Sequence, residues 1–358
     1  MSHDPTEAGT SQFGEGLLCD RYRLEHLVAL GGMGEVWQAT DTLLQRRVAV
    51  KLLHPHLRDD AAVAARFRRE ARAAARLHHP AIVPVYDICS TPAGDAIILQ
   101  FIEGPTLRHY LDRAGRLTNE QAMTVGCSVA NALWAAHQAD IVHRDVKPAN
   151  ILFGPDRAML TDFGVAKALD EADHTATGTM LGSVRYLSPE QVEGGAIDGR
   201  SDIFSLGVVL YECVTGTTPW TGDGPTAVAL ARLGQPAGDP RQLNPDVSPQ
   251  LAATIGTCLQ RDPDDRFPDA AALAIALGAP GLQPPPPHLA SPQTDPTLAT
   301  STIQMGDGDI EDGGIDDWDI DDGDGLQPAV ATRHPLLPLL IALAAIVVLV
   351  VLVAELAG

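Results

Sequence analysis

The spacing of apolar residues along the chain changes from one stretch to the next. YRLEHLVAL (22–30), GEVWQATD (34–41) and RRVAVKLL (46–53) alternate apolar and polar positions, the period of half-buried strands. The first two flank a glycine cluster, ALGGMGEV (29–36), which predicts a tight strand–turn–strand unit. DAAVAARFRREARAAARLHH (60–79) switches to a helical period and is closed by Pro80. AIVPVYDIC (81–89) and DAIILQFIE (95–103) return to strand-like runs. After Gly104 the pattern is mainly helical, and LTNEQAMTVGCSVANALWAAHQAD (117–140) predicts one long helix with Thr118 as its N-cap. A sheet-rich stretch followed by a helix-rich one predicts two lobes with a cleft between them.

The ends read differently. Residues 1–18 are small and polar, a short disordered lead, and residues 19–279 carry the folded domain. Residues 280–332 are Pro-rich, then Thr/Ser-rich, then acidic, a composition that buries too little apolar area to offset chain entropy and so predicts a disordered linker. The segment 335–354 predicts a transmembrane helix. Positions 336–354 hold no charged side chain, and as a helix they reach about 28 Å, close to the hydrocarbon thickness of a bilayer. Arg333 and His334 precede it and a short tail, 355–358, follows, so the positive-inside rule puts the preceding domain in the cytoplasm.

Composition changes this picture little. The apolar fraction of 45% is ordinary for a chain with a core. The net charge of −21 is uneven, because the run from Asp307 to Asp324 holds ten acidic residues and no Lys or Arg. No basic tract interleaves with aromatics, which excludes nucleic acid as a partner class. Cys19, Cys89, Cys127, Cys213 and Cys258 are scattered with no CxxC pair, which predicts reduced, partly buried thiols and neither a disulfide frame nor a zinc site.

Several stretches have a chemical reading beside a structural one. IVHRDVKPANILF (141–153) is either a polar turn between buried segments or a site in which Asp145 accepts a proton, Lys147 supplies a mobile positive charge and Asn150 ligates a metal. VAVK places Lys51 on a strand, as a surface charge or as the partner of Glu70 on the next helix. In LTDFGVAK, Asp162 is a turn acid or a divalent-cation ligand. The glycines of 31–34 make a hairpin turn or let backbone N–H groups approach phosphate oxygens. No GxxxxGK[ST] occurs, which argues against a P-loop.

The order of these stretches settles the choice. A Gly-rich loop, VAVK, a helical Glu, HRDVKPAN, DFG and the SPE of Ser188–Glu190 follow one another at the spacings of the protein-kinase signature set. The chain therefore resembles the eukaryotic-like (Hanks-type) serine/threonine protein kinases, most closely their bacterial membrane-anchored branch, over about Tyr22 to Leu277. The resemblance implies an α+β, two-lobed kinase fold, with a β-rich N-lobe and a helical C-lobe, and it implies ATP and Mg2+ as cofactors. Carried over by position, Leu30, Gly31, Gly32, Gly34 and Val36 cover the phosphates and adenine, and Ala49, Gln100 and Ile102 line the nucleotide site, with Leu99 to Ile102 as hinge. Lys51 meets the α/β-phosphates and Glu70 is its partner. Asp145 is the catalytic base, Lys147 contacts the γ-phosphate, and Asn150 and Asp162 hold magnesium. Asp202 braces the catalytic loop, and Arg266 pairs with Glu190. The family's first loop glycine is Ala29 here, a departure that stiffens the loop entry.

The resemblance further implies autophosphorylation at Thr175 and Thr177, with Arg144 pairing the new charge. Implied partners are protein substrates with Ser or Thr hydroxyls, a second copy of the chain for reaction in trans, and the membrane. A kinase fold used as a scaffold without transfer is the alternative; the presence of Lys51, Glu70, Asp145, Asn150 and Asp162 speaks against it. On the helix of Glu70, Arg69, Arg72 and Arg76 fall on the outward side, a basic patch on which the acidic run either docks or, as a solvated spacer, does not.

Overall fold

The computed structural model describes residues 17–31, 34–58, 60–91, 94–163 and 184–278. The predicted linker and the predicted span 335–354 lie outside them, as does nearly all of the predicted lead. Among the described residues no helix is long and apolar enough to cross a membrane.

The first three strands form where alternation places them: β1 (Tyr22–Leu30), β2 (Gly34–Asp41) and β3 (Arg46–Leu53). A short helix α1 (Pro55–Arg58) leads to α2 (Ala61–Ala74), whose first turn is capped by Asp60 through the N–H groups of Ala62 and Val63. Strands β4 (Val85–Thr91) and β5 (Gly94–Gln100) complete an antiparallel sheet of order β1-β2-β3-β5-β4. The run AIVPV is divided at Pro84. Residues before it pair with Leu160 of the other lobe, through Leu160 N–H to Ala81 (2.8 Å) and Val83 N–H to Leu160 (2.9 Å), and only the residues after it join the sheet.

Although β1 and β4 are opposite edges, the sheet curls until they meet. The Tyr22 hydroxyl donates to Asp87 (2.8 Å), Arg21 lies 3.5 Å from the same carboxylate, and Cys19 and Cys89 form a disulfide. This corrects the expectation of five free thiols. The pair is 70 residues apart in the chain, so no local spacing advertises it. Cys213 and Cys258 are buried and free as expected, and burial pushes both thiols up, so they stay protonated. The lobe also begins earlier than composition implied: Leu18 is 3% exposed and packs with Tyr22, Trp37 and Val50.

The helical lobe comprises α3 (Leu107–Ala114), α4 (Asn119–His137), α5 (Pro189–Glu193), α6 (Gly199–Thr215), α7 (Pro225–Gly234), α8 (Pro249–Cys258) and α9 (Ala270–Ala276), with a two-stranded ribbon of β6 (Ile151–Phe153) and β7 (Ala158–Leu160). Thr118 caps α4 as predicted, in a capping box with Gln121. Every residue of α6 from Ser201 to Val214 is buried, so this helix is the axis on which α4, α8 and α9 pack.

Candidate active site

Strand register decides which side chains face the cleft. Lys51 on β3 stands opposite Val36 on β2 and Ile97 on β5, and Ala49 stands opposite Leu99. Partners across a ladder share a face, as do residues two apart on one strand, so Val36, Ala49, Lys51, Ile97 and Leu99 form one surface. The other surface carries Trp37, Val48, Val50, Leu52 and Ile98, packed into the outer core of the lobe. Gln100 closes β5 opposite Val48, and Ile102 is buried just beyond it.

Leu30 ends β1, Gly31 follows it and Gly34 opens β2, with Gly31 N–H donating to the Gly34 carbonyl (2.8 Å). Gly34 is required by packing, since a Cβ there would stand 1.8 Å from the Leu52 carbonyl oxygen. Gly31 has room for one. Gly32, Thr175 and Thr177 lie outside the described residues.

On α2 the buried positions Val63, Phe67, Glu70 and Ala71 form one stripe, which turns Glu70 inward and leaves Arg69, Arg72 and Arg76 exposed, as the helical period predicts. The carboxylate at ion-pair distance from Lys51 is that of Asp162, at 2.7 Å. Burial works to raise the Asp162 pKa, but the Lys51 ammonium outweighs it and holds the carboxyl below its usual range. Ala71, Ala74, Ile97, Leu99 and Phe163 enclose a small cavity of about 20 Å³ beside this pair.

The loop of 141–150 is held by a buried carboxylate. Asp202, in the first turn of α6, accepts from the N–H groups of His143 (2.8 Å) and Arg144 (2.7 Å) and meets His137 Nε2 at 2.8 Å. These bonds hold Arg144 at φ +68°, in the left-handed region that a non-glycine residue rarely occupies. Asp162 sits at φ +65°. His143 links the two strained turns, with Nε2 at 2.8 Å from the Thr161 carbonyl and its ring edge-on to Phe163 at 4.6 Å.

Asp145 follows directly. Its carboxylate meets Lys147 Nζ (2.7 Å) and accepts from Asn150 Nδ2 (3.1 Å), which also donates to the Asp145 carbonyl (2.8 Å). Asn150 in turn accepts at its main-chain carbonyl from Thr161 N–H (3.0 Å), which joins the loop to the turn of Asp162. Both side-chain bonds of Asn150 among the described residues use its amide nitrogen, which leaves its oxygen available to a ligand. A lone amide oxygen and a carboxylate suit Mg2+, which keeps waters and takes its remaining oxygens from phosphate. Among the described residues no cluster of three or more His, Cys, Asp or Glu is arranged for a metal, so a softer ion held by protein alone has no site there.

Behind the loop, Glu190 and Arg266 form the expected pair, bidentate at 2.8 Å on both arms, with Ser201 Oγ donating to Glu190 (2.6 Å). Burial raises the Glu190 pKa, and the Arg266 fork overcomes it and sets the carboxyl below normal. The bracing roles of His137 and His143 went unread in the sequence, because both depend on contacts made across the fold.

A β-sheet lobe and a helical lobe, with Lys51 against Asp162 and Asn150 against Asp145, give the two-lobed arrangement that the sequence motifs predict. Comparison with known proteins narrows this. The family described as "Protein kinase domain" matches residues 22–275. Serine/threonine-protein kinase PknB of Mycolicibacterium smegmatis is 42% identical over 267 residues, 73% of this chain and 43% of PknB. Serine/threonine-protein kinase PknA of Mycobacterium tuberculosis is 39% identical over 300 residues, 80% of this chain and 69% of PknA. The crystal structure of the M. tuberculosis PknI kinase domain aligns with a TM-score of 0.58 at 28% identity, covering 74% of this chain and 97% of that domain. The chain thus spans less than half of PknB and about two thirds of PknA. It belongs to the protein kinase family, and its curated relatives are serine/threonine protein kinases.

Proposed function

We propose that this chain is an active serine/threonine protein kinase that transfers the γ-phosphate of ATP to hydroxyls of itself and of cytosolic proteins. The observation that carries this reading is the Asp145 carboxylate, bound by Lys147 and Asn150 within a loop tied to the turn of Asp162. Phosphoryl transfer asks a protein mainly for positioning and charge neutralisation, and these residues supply both. Asp145 orients the acceptor hydroxyl and takes its proton. Lys147 neutralises charge on the transferring group, and Lys51 does so nearer the α- and β-phosphates, exchanging Asp162 for phosphate when nucleotide enters. Asn150 and Asp162 would hold magnesium, which when bound offsets the charge of the triphosphate. Leu30, Gly31, Gly32, Gly34, Val36, Ala49 and Ile102 enclose the nucleotide, Gln100 meets it through its main chain, and Glu70 orients Lys51.

Incubating the full chain with γ-labelled ATP and magnesium tests the reading, beside an Asp145→Asn variant. Loss of the general base should lower transfer by about 10²–10⁴-fold. Label in neither protein, with ATP bound by both, would mean a scaffold.

Arg144 supports regulation by autophosphorylation, because its Nε is buried with no hydrogen-bond partner among the described residues. A phosphate on Thr175 or Thr177, added in trans by a second copy, would supply one. The uncharged stretch 336–354 supports a single-pass membrane anchor with the kinase domain on the cytoplasmic side.

A further inference from the structure

The helical lobe holds a second and larger cavity that shares no lining residue with the small one beside Lys51. It occupies about 520 Å³ where α6, α7, α8 and the segment 235–241 meet. Phe204, Trp220, Ile255 and Leu259 give it apolar walls, and the Phe204 and Trp220 rings stack at 5.7 Å. That volume lies within the range of small-molecule sites, about 300–1,000 Å³.

Three arginines line the cavity, and they are not equivalent. Arg241 pairs with Asp239 at 2.6 Å and Arg261 with Glu193 at 2.8 Å, both at exposed positions. Arg232, on α7, is 2% exposed and has no carboxylate partner among the described residues. Its two terminal nitrogens donate to the carbonyls of Val184 (3.0 Å) and Arg185 (2.6 Å), its guanidinium lies 5.4 Å from the Trp220 ring centre, and its Nε has no hydrogen-bond partner among the described residues. Burial pulls its pKa down to about 10. A cation taken out of water without a counter-charge is destabilising, and a bound anion would relieve it.

We propose that this cavity binds a small organic anion, a carboxylate on an apolar body, with Arg232 as its charge partner and the Phe204–Trp220 pair as its apolar wall. Because Arg232 also holds the carbonyls of Val184 and Arg185, occupancy adjusts the segment that leads into Ser188–Glu190. The inference rests on the kinase reading above and adds to it that this segment, next to the SPE motif, receives the protein substrate, so the ligand acts on peptide recognition.

The test uses the full-length chain and three probes: naphthaleneacetate, the neutral naphthaleneethanol, and acetate alone. Calorimetry should show one-to-one binding of naphthaleneacetate, with the alcohol and acetate at least about tenfold weaker, since each lacks one half of the recognition. Gly256 lines the cavity, and a Cβ built on it meets nothing within 4 Å. Gly256→Leu should therefore fill the space, leave the unfolding midpoint undiminished and abolish binding, whereas Arg232→Met should weaken binding by removing the charge. If Arg232→Met fails to fold, Gly256→Leu still decides the matter. Equal affinity for the alcohol, undiminished binding by Gly256→Leu, or no saturable binding would overturn the site. Saturating naphthaleneacetate should shift the KM for a peptide substrate in the parent protein and not in Gly256→Leu. An unchanged KM despite binding would overturn the coupling. The binding arm reads without catalysis, so absence of phosphoryl transfer would count against the kinase reading alone.

Discussion

Two of the hydrogen bonds that end on the Asp202 carboxylate come from main-chain N–H groups of the loop that presents Asp145. An amide in its place offers one acceptor oxygen and turns an N–H2 toward the other donor. Asp202→Asn should therefore leave one buried donor unsatisfied, costing about 1–3 kcal/mol. It should also release Arg144 from φ +68°, so that Asp145 loses its position. The expected outcome is a kcat at least about tenfold lower with the ATP KM held within about twofold, since most of the residues proposed to enclose the nucleotide sit on or beside β1–β5. Steady-state kinetics beside a thermal melt would measure it, and an unchanged kcat would remove Asp202 from this role. Such residues were legible because they recur at set distances along one short stretch or at a strand end. Arg232 was not, since its partners are main-chain carbonyls and an aromatic face, which no residue-type pattern announces. The Lys51–Asp162 contact was also unread, because choosing between two possible carboxylates requires the distance.

At the scale of elements, alternation located β1, β2 and β3 to the residue, because β2 and β3 each have one face on a core, β1 enters it at Tyr22 and Leu24, and turns bound all three. It misjudged the run before Pro84, since β pattern alone does not tell which lobe a strand-like segment pairs with. The strap across the sheet edges was invisible for the same reason. In a chain-entropy view, a link closing a 70-residue loop stabilises by about 4 kcal/mol. Dithiothreitol should lower the unfolding midpoint of the parent and leave a Cys89→Ser variant unmoved; equal sensitivity in both would assign the effect elsewhere. The end of β2 carries a pH dependence of its own. Side-chain hydrogen bonds from Arg21, outweighing burial, hold the Asp41 carboxyl down to about 2, with help from the N–H groups of Leu44 and Leu43. A depressed folded pKa contributes stability that is full above the unfolded value of about 4 and is lost as pH falls from there toward about 2. Asp41→Asn should lower stability at neutral pH and flatten the acid-unfolding curve across that window. A variant whose curve stays parallel to the parent's would show that other carboxylates govern it.

At the scale of the whole chain, the question is where the self-sufficient part ends. Composition predicts the boundary near 279, and packing shows that the folded part reaches at least Leu277. The last described helix, α9, buries Ala270, Leu273 and Ala274, and Leu277 follows at 2% exposed. A Cβ on Gly126 of α4 would stand 2.9 Å from a Leu277 methyl and 3.0 Å from one of Leu210, so α4, α6 and α9 meet there with no room for another carbon. Removing α9 would expose that seam along the central helices and leave a cavity on their packed faces, and each large buried apolar side chain lost costs about 2–5 kcal/mol. Among the described residues, those that meet at this seam all lie at or before Leu277. A chain ended at residue 290 should therefore fold cooperatively and autophosphorylate in dilute solution at the rate of the intact protein. A chain ended at residue 268 should fail to fold, although it retains Lys51, Asp145, Asn150 and Asp162. Circular-dichroism melts and labelled-ATP assays on the two truncations compare them directly. Loss of activity in the longer one would make the C-terminal region part of the catalytic unit, and a cooperative melt in the shorter one would show that α9 is dispensable to the core.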